Sequence, residues 1–178
     1  MIKARFNEPQ EPVTIVNENG STKRVFICLN GVEKTAPVME GEEAREDKYI
    51  EYDYNEFVVA AAVLPLLGVN ENPEKYINGF DMDYCKTAEE LQAAYTAYVQ
   101  DKMDKAAQSY PYRYDNIASA ASYKGSTDEK FNKEGTAFSD WRDKVWRKCF
   151  DILEDVLAGK RFLPTFAELD AELPQLEL

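Results

Sequence analysis

The apolar residues of this chain change period once, and that change limits what it can fold into. Up to about Tyr54 apolar and polar residues alternate, as in strands that bury one face. From Thr87 onward apolar residues return every three or four positions, the period of a helix with one buried stripe. Strands followed by helices, rather than the two interleaved, give segregated parts. The predicted fold is therefore α+β. A small N-terminal antiparallel β-sheet over residues 1–56 leads through a connecting region with a short helix, 57–86, to a C-terminal α-helical bundle, 87–178.

In the first part Ile2–Phe6 alternates, Val13–Val16 is a β-branched run, and the Asn17–Gly20 turn precedes the apolar Arg24–Leu29. Asn30-Gly31 reads as a type I′ hairpin turn, since both residues tolerate positive φ, and it is expected to join Arg24–Leu29 to Val32–Val38. Met39–Lys48 reads as an acidic loop, and Tyr49–Tyr54 as a half-buried strand, making four or five strands in all. Val58–Leu64 fits a buried strand or a short helix equally, because periodicity does not separate the two in so short a run. Asn72-Pro73-Glu74 predicts an N-cap and a short helix to Asn78, ended by Gly79.

Three capping boxes punctuate the second part: Thr87–Glu90, Ser126–Glu129 and Thr165–Glu168. The first opens a helix with the stripe Leu91, Tyr95, Tyr98 or Val99, Met103 and Ala106. Asp115 is expected to cap a second helix, carrying Ile117 and Ala120 and stopping at Gly125. The longest helix follows, with Phe138, Trp141, Val145, Cys149, Ile152 and Val156 on one stripe and Trp146, Phe150, Leu153 and Leu157 one position round. It ends at Gly159. So wide a stripe predicts the central helix of the bundle.

Three local patterns lie in this part: Tyr-Asp-x-Ile-x-Ser-Ala from Tyr114 to Ala120, Phe-x-x-Trp-Arg-x-x-Val-Trp from Phe138 to Trp146, and Pro-Thr-x-x-Glu-Leu…Leu-Pro from Pro164 to Pro174. Together they make the last half of the chain resemble a small helical domain of unassigned biochemical function that closes many bacteriophage and prophage tail proteins. The resemblance implies a place in a phage particle and implies no reaction. Tail-fibre shafts have long repetitive β stretches and this chain has none, so it departs from the fibre proteins that share the ending.

Histidine is absent, which removes the commonest general base at neutral pH, every Ser-His or Cys-His pair and any His-ligated metal. No Gly-x-x-x-x-Gly-Lys-Ser/Thr cradle or Gly-x-Gly-x-x-Gly turn exists for a nucleotide. Asp81-Met-Asp83 begins like a calcium loop, but Lys86 stands where Gly is needed and Gln92 where the bidentate Glu is needed. The acidic run Glu40–Asp47 reads as a hydrated loop, and Asn19-Gly-Ser21 as a turn. Cys28, Cys85 and Cys149 are odd in number and far apart, so they read as buried small hydrophobes. No catalytic residue, cofactor or metal ligand is expected. A net charge of −12 argues against nucleic acid, and no run reaches the ~18 apolar residues of a membrane span. The N-terminus lacks a signal-peptide pattern, so the chain is expected to stay in the cytoplasm where it is made.

Aromatics beside an Arg in a connection are enriched in binding surfaces. Within Tyr110–Tyr114, Tyr114 is expected to pack inward, and Tyr112 and Arg113 are the better contact candidates, a plain packed loop being the other reading. Tyr49, Tyr52 and Tyr54 are the contact candidates of the sheet, whose open edge is expected to meet neighbouring chains. Trp141 and Trp146 are expected in the core, a sugar or peptide platform being the alternative. The implied function is a non-enzymatic phage tail or virion structural or adaptor protein, a possible homo-oligomer, partnered by other virion proteins and located in the phage tail. The alternatives are a tail-fibre assembly chaperone left out of the particle and, behind it, a hydrolase of host surface polymers.

Overall fold

The computed structural model describes residues 2–36, 48–79 and 83–177. The acidic run Glu40–Asp47, the start of the calcium-like loop at Asp81, and the end of the expected strand at Val38 lie outside the described residues. The fold is α+β, with strands first and helices after. The chain divides into two compact units, Met1–Ala88 and Glu89–Leu178.

The first unit is built on a four-stranded antiparallel sheet of order β1-β4-β3-β2, with β1 Ile2–Phe6, β2 Val13–Asn17, β3 Thr22–Thr35 and β4 Lys48–Ala60. Asn30-Gly31 does not turn the chain. β3 runs straight through it, and the ladder with β4 steps from Leu29↔Asp53 to Val32↔Glu51, so Asn30 and Gly31 together face Tyr52 as a β-bulge. The positive φ that suggested a hairpin is present, 54° at Asn30, but the bulge uses it. The Asn30 amide donates to the buried Asp53 carboxylate at 2.8 Å, and Lys3 reaches the same group from β1. A Cβ on Gly31 would sit 2.5 Å from the Tyr52 ring, so only glycine lets that ring lie across the bulge.

Val25, Ile27 and Val59 are fully buried on the sheet. They are covered by the segment read as a connection. Val58–Leu64 is divided between strand and helix: β4 continues to Ala60, and α1 is Leu64–Leu67. Val63, Leu67, Val69, Tyr76 and Ile77 are buried, the Tyr76 hydroxyl donates to the Leu67 carbonyl, and the Asn55 amide to the Tyr76 carbonyl. An amphipathic sheet needs a covering layer, and this segment supplies it. Pro73–Tyr76 is a single 3-10 turn, with no side-chain cap from Asn72, in place of the helix expected to Asn78. Cys28 is buried, but Cys85 is exposed, its thiol donating to the Val58 carbonyl.

The second unit begins one residue into α2 Ala88–Ser109 and holds α3 Ile117–Ala121, α4 Glu129–Leu157 and α5 Phe166–Glu172. Two expected caps move by a residue or two. Asn116, not Asp115, caps α3 by accepting from the Ser119 amide. Asp128, not Ser126, caps α4 by accepting from the amides of Lys130 and Phe131; in both cases the polar side chain directly before the first turn is the cap. The box at Thr165–Glu168 forms in full. At the end of α4, Gly159 at φ 68° donates to Val156 and Lys160 to Asp155, the paired bonds of a Schellman stop.

Leu91, Val99, Met103 and Ala107 of α2 are buried, as are Phe138, Trp141, Val145, Ile152 and Val156 of α4. The neighbouring row of α4 departs from the expected core. Trp146 and Leu153 are half-buried, while Phe150 is 64% and Leu157 73% exposed. Tyr98 stacks on Phe166 at 4.0 Å, its hydroxyl and Lys102 both donate to Asp170, and Tyr95 donates to the Pro164 carbonyl, fastening α5 to α2. The Trp141 indole donates to the Pro174 carbonyl at 2.8 Å, tying the chain beyond α5 to α4.

Candidate contact site around the Tyr110–Tyr114 turn

Pro111 brings α2 to its end, because a proline disfavours helical backbone in the residue before it. The chain then turns tightly. The Arg113 amide donates to the Tyr110 carbonyl at 2.7 Å, and Arg113 takes φ 50°, one of two such non-glycine residues described. The left-handed conformation costs an ordinary side chain about 1–2 kcal/mol, so the surroundings must hold the turn in place.

Glu134 of α4 does much of that holding. It is 5% exposed and accepts from the Tyr114 hydroxyl at 2.7 Å and from the Tyr110 hydroxyl at 3.4 Å. The two tyrosine rings lie parallel, and both meet Phe138 edge-on, at 5.6 and 5.7 Å between centroids. Gly135 lets α4 approach the turn after α3. A Cβ there would lie 2.3 Å from the Lys124 nitrogen and 2.4 Å from the Tyr123 carbonyl carbon. That approach sets Tyr123 against Tyr114 and Phe131, at 5.5 and 5.3 Å.

Tyr112 and Arg113 stand on the outside of this packed base. Tyr112 is 46% exposed, meets Phe131 edge-on, and carries the Lys130 ammonium 4.5 Å above its ring while its hydroxyl accepts from the same group. Arg113 is exposed. Two cations and aromatic edges are thus displayed together on a chain of net charge −12. Burial, and then the bond to Glu134, push the Tyr114 phenol far above its ordinary range, and the same causes raise Tyr110. Lys130 is also raised, chiefly by its bond to Tyr112. Both phenols therefore keep their protons at neutral pH and act as hydrogen-bond donors, not as nucleophiles or bases. The arrangement suits contact with an acidic or aromatic surface.

The sheet tyrosines do not gather into a second site. Tyr52 is buried, its hydroxyl accepting from the Gln10 amide at 2.9 Å, which corrects its reading as a surface contact: the ring is needed over Gly31. Tyr49 is half-buried under the Arg5 guanidinium, 4.7 Å from its ring. Tyr54 is half-buried and donates to Glu56, and burial with that bond pushes its phenol up to about 12. All three belong to β4, an inner strand, whereas the sheet edges are β1 and β2. Among the described residues no three His, Cys, Asp or Glu side chains converge to hold a metal ion, and no helix is long and apolar enough to cross a membrane.

Sequence reasoning finds Tyr112, Arg113 and the inward Tyr114 but misses Glu134, Lys130, Tyr123 and Phe131. A signal was present: Glu134-Gly135 sits on the stripe that runs through Phe131 and Phe138, and a carboxylate on a buried face calls for donors. No protein-family model matches the chain, and no curated protein and no solved structure matches it.

Proposed function

We propose that this chain is a non-enzymatic structural or adaptor protein of a bacteriophage tail, working through protein–protein contacts. One observation carries the reading beyond the resemblance of the last half of the chain to the tail-protein ending. Apart from the half-buried Trp146, the apolar, capping and proline positions of the three patterns are spent on holding the helical unit together. Tyr114, Ile117, Ala120, Phe138, Trp141, Val145, Leu169 and Leu173 are buried, Thr165 and Glu168 form the capping box, and the carbonyls of Pro164 and Pro174 receive Tyr95 and Trp141. A pattern made of packing residues suits a carrier of contacts, whereas a catalytic pattern would leave polar groups converging on a space for substrate. In this reading the helices form a bundle that presents Tyr112 and Arg113, and an edge of the sheet, β1 or β2, meets a neighbouring chain.

Mass spectrometry of purified particles from a host carrying the gene tests this. The chain is expected in the particle at a fixed ratio to the tail proteins. Its presence in lysate together with its absence from particles would favour an assembly chaperone and overturn the structural role.

A further inference from the structure

We propose that the C-terminal half of α4 is a self-association surface on which a second copy of this chain seats antiparallel. Trp146, Phe150, Leu153 and Leu157 fall on one row of the helix, at spacings of four, three and four. Earlier on the same side of α4, Gly135 and Ser139 are buried, with the turn at residues 123–124 lying against Gly135. The row loses that cover in its second half, where Phe150 and Leu157 stand 64% and 73% exposed. Large apolar side chains in a continuous row mark a contact surface, unlike single exposed ones.

Charge selects the occupant and its direction. Arg147 and Glu154 flank the row on one side, both are exposed, and neither forms an ion pair with another described residue. If two copies meet about a two-fold axis between Phe150 and Leu153, Trp146 of one lies level with Leu157 of the other and Phe150 with Leu153. Each Arg147 then comes within about 3 Å, along the helix axis, of the Glu154 of the second copy, at a rise of about 1.5 Å per residue. The pair forms twice by symmetry. Parallel packing about a two-fold axis along the helices would instead put the two Arg147–Glu154 flanks on opposite sides of the interface, where neither charge meets its complement. The row is small beside the roughly 800 Å² per partner of a standard interface, so the dimer dissociates on dilution.

The test uses the purified full chain and no phage component, so its outcome is independent of the proposed tail role. Sedimentation equilibrium from about 1 to about 500 µM should show the 20.3 kDa monomer passing into a species of twice that mass. Phe150→Asp should weaken association about thirtyfold or more, as at a buried contact centre. Arg147→Glu should weaken it as well, and adding Glu154→Arg should restore it; this exchange of exposed charges keeps the test decisive if Phe150→Asp disturbs folding. Far-UV circular dichroism checks that helicity is kept. A single monomeric species at every concentration overturns the proposal, as does a dimer unchanged by Phe150→Asp. A monomer that melts lower with Phe150→Asp would place the cover within the same chain, which also overturns it.

Discussion

Glu172, in the last turn of α5, joins three parts of the helical unit through one carboxylate. Arg161 grips it with both terminal nitrogens, at 2.6 and 2.9 Å, and Lys148 of α4 approaches to 3.3 Å. The Arg161 fork, ahead of the lesser contribution of Lys148, holds the carboxyl down at about 2 from its ordinary 4.5. A folded value below the unfolded one means stability that is fully present above about pH 4.5 and is lost as pH falls toward 2. At 1.36 kcal/mol per pH unit the displacement sets a ceiling of about 3 kcal/mol. The side chain is 30% exposed, so solvent screening lowers the realistic contribution to about 1–2 kcal/mol. Glu172→Gln is therefore expected to lower the melting temperature by roughly 5–10 °C at neutral pH in a unit of this size. Urea unfolding of both proteins, followed by circular dichroism from about pH 7 to about pH 2.5, should show the stability gap closing below about pH 4.5. A gap of the same size at pH 2.5, or none at pH 7, would refute the ion-pair argument.

Trp141→Ala should cost about 3–5 kcal/mol through the cavity it leaves and the lost bond to Pro174; wild-type melting with loss of a partner would instead favour the platform reading. Gly31→Ala should destabilise the sheet unit by about 1–3 kcal/mol, because a Cβ would overlap the Tyr52 ring, and unchanged thermal melting would show that the ring moves aside at little cost. Arg113→Gly should stabilise by up to about 1 kcal/mol by relieving the positive φ while weakening partner binding; a lower melting temperature would refute the strain. Residues 87–178 alone should show high helicity and a cooperative melt, and a gradual melt would count against an independent unit.

The order of strands and helices was legible because burial imposes a period, shown most clearly by Phe138, Trp141, Val145, Ile152 and Val156 of α4. Which residue caps a helix was less legible. Asp115, Asn116, Ser126 and Asp128 are all capable acceptors, and the choice rests on where the backbone leaves the extended conformation, as Asn116 and Asp128 do. Asn30-Gly31 misleads for a related reason. A left-handed residue serves a hairpin turn or a bulge equally well, and what separates them is whether the flanking segments pair with each other or with a third strand. Here Leu29 and Val32 both pair with β4, a long-range fact that no local window contains. The candidate site was half legible: an exposed turn announces itself by Pro111 and its aromatics, whereas Glu134, the partner beneath it, lies 20 residues from Tyr114 and 24 from Tyr110.

The residues that carry the resemblance and those that carry the proposed contacts overlap at the half-buried Trp146 and otherwise differ. Phe138, Trp141 and Leu169 are buried and specify how helices pack; Tyr112, Arg113, Phe150 and Leu157 are exposed. Cores tolerate little change in volume, whereas surface substitutions away from special backbone sites cost within about 0.5 kcal/mol. A pattern of packing residues can therefore persist while the exposed residues change to suit another partner. This separation lets the proposed contacts be tested apart from the packing. It also places the decisive substitutions at Tyr112, Arg113 and Phe150, where a contact can be removed while the fold that presents it remains.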